Sequence, residues 1–331
     1  CAVVILPEGR QSAALRQLAD WLERRFLRYF RLVVFLATFA MASCFDHSRD
    51  WNTASRFLLT HAWSDFGTAE VTRYVARDGM LIEHPPTRDL ARTADGRFYC
   101  DKAPGHSLLG TVPYHIWGQF LHLPLAKNIA GLVEPSDYWV TLFTSGLAAA
   151  GIGGLITWWS IKRGASPTLS ACLGFLATLA SPILTYGTMY VGHVTAGVAL
   201  LIGFMLLSAG QPRYTLAGLC MGTAVTIEYP AAIAVGVWSM ILLVPAIGIQ
   251  RRTTAAPLLF FWLGLLPPIV MLGWYHWTIT GSPFRTPYTL EVDPLFAYHK
   301  SGIGLPFSLP TASTVAALLW GPSRGLLWYA P

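Results

Sequence analysis

Apolar residues run in long blocks along most of this chain, and polar residues collect between the blocks instead of alternating with them. Seven blocks are long enough, or nearly so, to cross a hydrocarbon core about 30 Å thick. They are residues 29–46, 138–161, 168–187, 192–210, 214–229, 230–248 and 256–277. Their length and lack of period-2 alternation predict helices apolar on every side, hence an all-α polytopic bundle. Ahead of them, within Gln11–Arg31, Leu15, Leu18, Leu22, Phe26 and Tyr29 or Phe30 recur at helical spacing, with Arg and Glu between. That pattern predicts an amphipathic helix lying in the interface. Residues 1–31 thus read as an N-terminal segment, and residues 32–331 as a transmembrane domain.

Charge orients the blocks. Arg24, Arg25, Arg28 and Arg31 precede the first one, which predicts a cytoplasmic N-terminus. Lys162–Arg163, Arg213 and Arg251–Arg252 lie in short loops without an acidic residue, so those loops are expected on the same side. The chain must then cross an even number of times between Arg31 and Lys162. Three apolar stretches lie there, and the weakest, residues 107–125, carries Pro113, His115, Gln119 and His122. We read it as an interfacial helix on the outer face; the alternative is a span with a re-entrant neighbour. A first outer loop then covers residues 46–137. All nine histidines, and every Asp and Glu except Glu8, Asp20 and Glu23, fall on the outer side. Ionisable groups beside a membrane are costly and tend to mark function.

Composition agrees with lipid as the solvent. The 331 residues are 53% hydrophobic and 12% charged, against about 25% charged in soluble domains. The net charge of +6 needs no nucleic-acid partner, because the basic residues flank apolar spans. Five cysteines make no C-x-x-C pair, and three sit inside apolar spans as packing residues. No cleavable leader is visible after Arg31, so the first block reads as an anchor. Starting at Cys1 and stopping at Pro331 within an apolar segment, the chain is expected to be part of something longer.

The outer loop carries the motifs. A helix is predicted from about Asn52 through Trp63, with Phe57, Leu58, Ala62 and Trp63 on its apolar face and Gly67 ending it. Turn signals follow at His84-Pro85-Pro86 and Asp95-Gly96. The loop closes on Phe98-Tyr-Cys-Asp101-Lys102-Ala-Pro104-Gly105, an acid–base pair beside a Pro-Gly turn. His106, His115 and His122 lack the i, i+4 spacing of a helical zinc pair, so no metal site is assigned to them. Gly218-x-x-x-Gly222 fits close helix packing.

The aromatic-x-Asp-Lys-Ala-Pro-Gly-x-Ser-Leu-Leu run resembles bacterial GT-C glycosyltransferases. Further segments are similar to that family's pattern: Asn52-x-x-Ser55-Arg56, Gly67-Thr68, Thr87-x-Asp89, Gly192-His193, Glu228-Tyr229-Pro230, Gly281-Ser-Pro-Phe284 and Gly321-Pro-x-Arg324-Gly. The family includes relatives of the protein O-mannosyltransferases and of the lipid A aminoarabinose transferase. The resemblance implies a bundle of about seven or eight spans in a bacterial inner membrane. It further implies inverting transfer of a sugar from a polyprenyl-phosphate donor to a lipid, glycan or protein acceptor on the periplasmic face.

Such transfer needs a base for the acceptor and cations for the leaving phosphate. The implied base is Asp50, since Thr53 and Ala54 stand where relatives place an acid near Arg56; Asp101 and Asp89 are its rivals. Arg56, Lys102 and His193 are the candidate phosphate partners, and Asn52, Asp89, Glu228, Tyr229 and Arg324 complete the expected binding set. No cofactor is assigned. A divalent cation stays open, because family members with and without one exist. Two other readings also stay open: a transporter or flippase, and an inactive GT-C-like protein that binds the lipid carrier. Transporters favour charges near the bilayer midplane and repeated halves, and neither is visible in the sequence.

Overall fold

The computed structural model describes residues 29–45, 50–77, 80–83, 85–120, 135–247, 255–293 and 311–322. The expected amphipathic segment before Tyr29, the end of the outer loop helix and Arg324 lie outside these residues. The described part is mostly helical.

Each predicted apolar block forms helix. In chain order α1 is Tyr29–Cys44, and α5 (Pro135–Thr141) runs through a π turn (Leu142–Gly146) into α6 (Leu147–Lys162). Then follow α7 (Pro167–Leu179), α8 (Pro182–Gly187), α9 (His193–Leu207), α10 (Tyr214–Ile227), α11 (Ala231–Ile247) and α12 (Ala256–Thr280). Two of these helices are long and apolar enough to cross a membrane: the continuous Ser136–Lys162 stretch and Ala256–Thr280. The others are shorter than the blocks suggested. Ser181 caps a new helix at Pro182, splitting the third block in two, because proline fits a first turn and not a helix interior. The 13 residues of α7 rise only about 20 Å.

Small residues set the spacing of the bundle. A methyl group on Gly218 of α10 would overlap the Phe261 carbonyl of α12, and one on Gly264 would overlap the Thr215 carbonyl. The two helices therefore run parallel and nearly backbone to backbone, with Ala217, Met221, Phe261 and Leu265 buried around the crossing. α9 runs antiparallel to α10, with Gly203 against Met221 at one end and Gly192 against Ile227 at the other. α1 lies antiparallel to α6 in the same manner, Ala42 near Gly146 and Arg31 near Gly154. One end of the bundle consequently gathers Arg31, Lys162, Arg163 and Arg213. The opposite end gathers the start of α9, the α10–α11 turn and the end of α12.

The loop segment covers that opposite end. α2 (Trp51–Phe66) begins at an Asp50 cap and stops at Gly67, which adopts the left-handed conformation that glycine accepts freely. After the single turn α3 (Thr72–Val75), the chain forms two hairpins that the all-helical expectation did not include. β1 (Ala76–Arg77) pairs with β2 (Met80–Leu81), and β3 (Leu90–Arg92) pairs antiparallel with β4 (Phe98–Cys100) across the Asp95-Gly96 turn. α4 (Gly105–Phe120) follows, with Pro113 inside it, on the stretch expected to be an interfacial helix.

The end of α12 and the segment after it fasten this layer from one side. Val292 N–H donates to the Leu90 carbonyl at 2.8 Å, adding the segment after α12 to the edge of β3. Tyr275 of α12 donates to the Cys100 carbonyl at 3.1 Å. A single 3₁₀ turn, Pro287–Leu290, leads into this edge. α13 (Ala312–Trp320) is exposed along its length.

Candidate functional site

Asn52 and Arg56 are one helical turn apart on α2, and the Asn52 side-chain oxygen accepts from Arg56 Nε at 2.9 Å. Arg56 is 1% exposed. Its Nη2 donates to Glu228 Oε1 at 2.6 Å, and its Nη1 reaches the Ala103 carbonyl at 3.4 Å. Burial, the largest influence, lowers the guanidinium's pKa; Glu228 together with Cys100, Tyr288 and Tyr190 outweighs it, and the net direction is up. The same Glu228 oxygen faces His193 Nδ1 at 3.4 Å. His193 opens α9 and is about half exposed, so it is the reachable edge of this group. Gly192 makes the approach possible, since a Cβ there would lie 2.6 Å from Glu228 Oε1.

Beside it lies a second ionic group. Lys102 Nζ is 3.0 Å from Asp101 Oδ2 and 3.1 Å from Asp89 Oδ2, with all three side chains buried. The hairpin β3–β4 positions this set: Asp89 precedes β3 and Asp101 follows β4, so antiparallel pairing of Leu90 with Cys100 brings both acids together. Burial would drive the Lys102 ammonium down, yet the facing carboxylates hold it well above its ordinary value. Burial raises Asp101 despite the ammonium beside it. Cys100, next in line, is pushed up to about 11 by burial and then by Asp101.

Glu291 completes a trio that sequence reasoning missed. One carboxylate oxygen each from Asp89, Asp101 and Glu291 lies within 4.8 Å of the others. Three oxygens of this kind suit a hard divalent cation, and Asp101 Oδ1 is buried with no hydrogen-bond partner. The donor set therefore fits such an ion, with Lys102 already supplying one positive charge to two of its members. Tyr288 was missed as well. Its ring lies 5.0 Å from Lys102 Nζ and meets Tyr229 edge-on at 5.9 Å. The only sequence signal for either residue was an acidic, aromatic segment following the last apolar block.

Asp50, the expected base, is engaged at the start of α2. Its Oδ1 accepts from the Thr53 N–H at 2.7 Å and faces the Thr53 hydroxyl at 2.8 Å, while its own N–H donates to that hydroxyl. This is a reciprocal cap. Asp101, Asp89, Lys102, Asn52, Arg56, His193, Glu228 and Tyr229 do assemble at one end of the bundle. His106 is fully buried against Tyr190, with Ser145 of the π turn at 3.4 Å. Burial, then Arg56 and His193, lower its pKa well below the ordinary value, so it is a neutral packing residue.

A hydroxyl chain locks α2 against the bundle. Thr60 and Tyr190 hydroxyls lie 2.7 Å apart, and Ser107 donates to the Arg56 carbonyl at 2.9 Å. One turn from Phe57, whose ring stacks on Tyr190, His61 pairs with Asp137 of α5 at 3.2 Å. No family model, curated protein or solved structure matches the chain.

Proposed function

We propose that the chain is a multi-pass membrane glycosyltransferase of GT-C type, taking a sugar from a polyprenyl-phosphate donor. In this reading about seven or eight spans sit in a bacterial inner membrane, the N-terminus is cytoplasmic, and the site faces the periplasm. The observation carrying it is the pair of ionic groups, Arg56–Glu228–His193 and the buried Lys102–Asp101–Asp89, under a loop at one end of an apolar bundle, with His193 as the exposed edge. Charges are scarce through the helices and concentrated where a lipid-linked headgroup would meet an outer acceptor.

The chemistry asks for cations near the leaving phosphate. His193, at the positive end of a 15-residue helix, and Arg56 behind it supply a field that favours an anion there. Arg56 is held by three partners and acts as a fixed charge, whereas His193 is the group that meets solvent. Lys102, charged and enclosed, would stabilise negative charge developing on the phosphate oxygen as the sugar's anomeric carbon is attacked from the opposite face. The acceptor would be a lipid, glycan or protein group presented under the loop.

The purified protein in proteoliposomes, given undecaprenyl-phosphate mannose and undecaprenyl-phosphate glucose, tests the reading. Sugar release or transfer that falls in His193→Ala and Lys102→Met supports it. A carrier-binding scaffold is the second reading, favoured by the commitment of Asp50, Asp89, Asp101 and Glu228 to caps and ion pairs. It predicts binding of the lipid with no sugar released. Neither binding nor release would overturn both.

A further inference from the structure

Asp50, Asp89, Asp101 and Glu228 are each engaged in a cap or an ion pair through one oxygen, and a different proton acceptor stands beside them. The Tyr229 hydroxyl lies 3.0 Å from His276 Nε2, and His276 Nδ1 lies 3.2 Å from the Pro283 carbonyl. A carbonyl can only accept, so Nδ1 must carry the hydrogen. In a neutral imidazole Nε2 is then a bare acceptor, and the Tyr229 hydroxyl must donate to it. The phenol oxygen keeps its lone pairs for a donor arriving from elsewhere. The polarity of the whole chain follows from one backbone oxygen.

That oxygen is firmly placed. Gly281 turns the chain in the left-handed conformation at the end of α12, and the Thr280 hydroxyl lies within reach of the His276, Ser282 and Arg285 carbonyls, at 2.9, 2.9 and 3.0 Å, with its one hydrogen to donate among them. Gly273 leaves room for the Pro283 ring, which a Cβ there would meet at 3.3 Å. His276 is 5% exposed. Tyr229 belongs to the site by position, following Glu228 directly and packing against Tyr288, whose ring Lys102 approaches. Its electrostatic neighbours are Tyr288, Cys100, Asp101 and Arg56, and Tyr275 packs beside His276.

We propose that Tyr229 and His276 form the proton relay for the acceptor group, a role that rests on the glycosyl-transfer reading. As the acceptor oxygen bonds to the anomeric carbon, its proton passes to Tyr229 Oη and the phenolic proton passes to His276 Nε2. The bond from the anomeric carbon to the phosphate oxygen breaks with its electron pair, releasing polyprenyl phosphate. His276 ends as an imidazolium whose Nδ1–H still bonds Pro283. It later returns the proton to solvent. Tyr229 is the catalytic residue, and His276 is a positioning residue that acts through it.

The test uses the full chain in proteoliposomes with undecaprenyl-phosphate mannose and glucose, reading sugar release across pH. His276→Gln keeps an acceptor for the tyrosine but takes no proton, so the rate should fall about 100-fold, the scale of a lost general base. Wild type should lose rate on the acid side as His276 is protonated, and Tyr229→Phe should abolish that limb. Imidazole should restore part of the rate to His276→Gly. Wild-type rates and pH profiles in both Tyr229→Phe and His276→Gln would overturn the relay while leaving the transfer reading intact. Wild type that releases no sugar would instead overturn the transfer reading. Nitrogen NMR of His276 decides the chain's polarity in either case: an Nε2-protonated ring at neutral pH refutes the relay without any turnover.

Discussion

Arg56 and Glu228 are 172 residues apart in sequence and 2.6 Å apart in space. The contact joins α2 of the loop layer to the α10–α11 turn of the bundle, and both partners are mostly withdrawn from water. Removing one partner strands the other. Glu228→Ala should lower stability by about 3–5 kcal/mol, the usual cost of an uncompensated buried charge. Arg56→Met combined with Glu228→Leu should recover a large part of that loss. Thermal unfolding in detergent, run as a double-mutant cycle, reads the difference. Equal losses in the single and double variants would mean that the pair is not the joint.

The carboxylate of Asp50 does local work at the start of α2. Asp50→Ala should cost about 1 kcal/mol, as for other lost caps. Asp50→Ser, which can still cap, should restore stability and leave sugar release near wild type. A large loss of release in a stably folded Asp50→Ser protein would return Asp50 to the role of base.

The helices of the apolar blocks, the Gly67 stop and the Asp95-Gly96 turn were legible in the sequence, because each rests on local periodicity or backbone preference. The cap of α2 was not read there: Asp50 was expected as the base and the helix from about Asn52, although Asp50-x-x-Thr53 ahead of an apolar-faced helix has the form of a reciprocal cap. Strands of two or three residues give no readable alternation, so β1 to β4 were not foreseen. Glu291, Tyr288 and His276 were hidden for another reason. His276 reaches the site on α12, which packs along α10 and sets it beside Tyr229; Glu291 and Tyr288 reach it because Val292 pairs with Leu90 and the chain turns back at Gly281. Such pairings join distant segments by backbone hydrogen bonds, which carry no signature in either segment alone. Arg56, Lys102, Glu228 and His193 were visible because charge stands out in an apolar chain.

Gly192 holds the approach of α9 to α10 and the Glu228 position together. A methyl there would lie 2.6 Å from Glu228 Oε1 and 2.9 Å from both the carbonyl oxygen and Cγ2 of Ile227. The carboxylate can swing away, weakening its contacts with Arg56 and His193, but the backbone carbonyl cannot, so α9 must shift. Gly192→Ala should therefore lower the unfolding temperature in detergent by several degrees and reduce sugar release or lipid-carrier affinity several-fold. Unchanged unfolding temperature, release and affinity would show that the close approach at Gly192 is not critical.

Lys102 faces more negative charge than it can balance, and pH exposes this. Asp101 is raised above its ordinary value of 3.8 by burial, with the Lys102 ammonium opposing the rise. A carboxyl raised in the fold favours the native state when protonated, and that contribution is lost as pH climbs through its folded value. In wild type the ammonium limits the loss. In Lys102→Met only Arg56, the weaker of the two cations acting on Asp101, still opposes it, so the Asp101 value should rise further. The variant should be close to wild type at acid pH and fall progressively behind as pH rises toward neutrality. Unfolding temperatures measured from pH 4 to pH 8 in detergent give the comparison directly. Added Mg²⁺ or Mn²⁺ should then stabilise Lys102→Met more than wild type, because the three oxygens regain a cation at their centre. Curves for the two proteins that stay parallel across this range, with and without the ion, would show that Lys102 does not neutralise the trio.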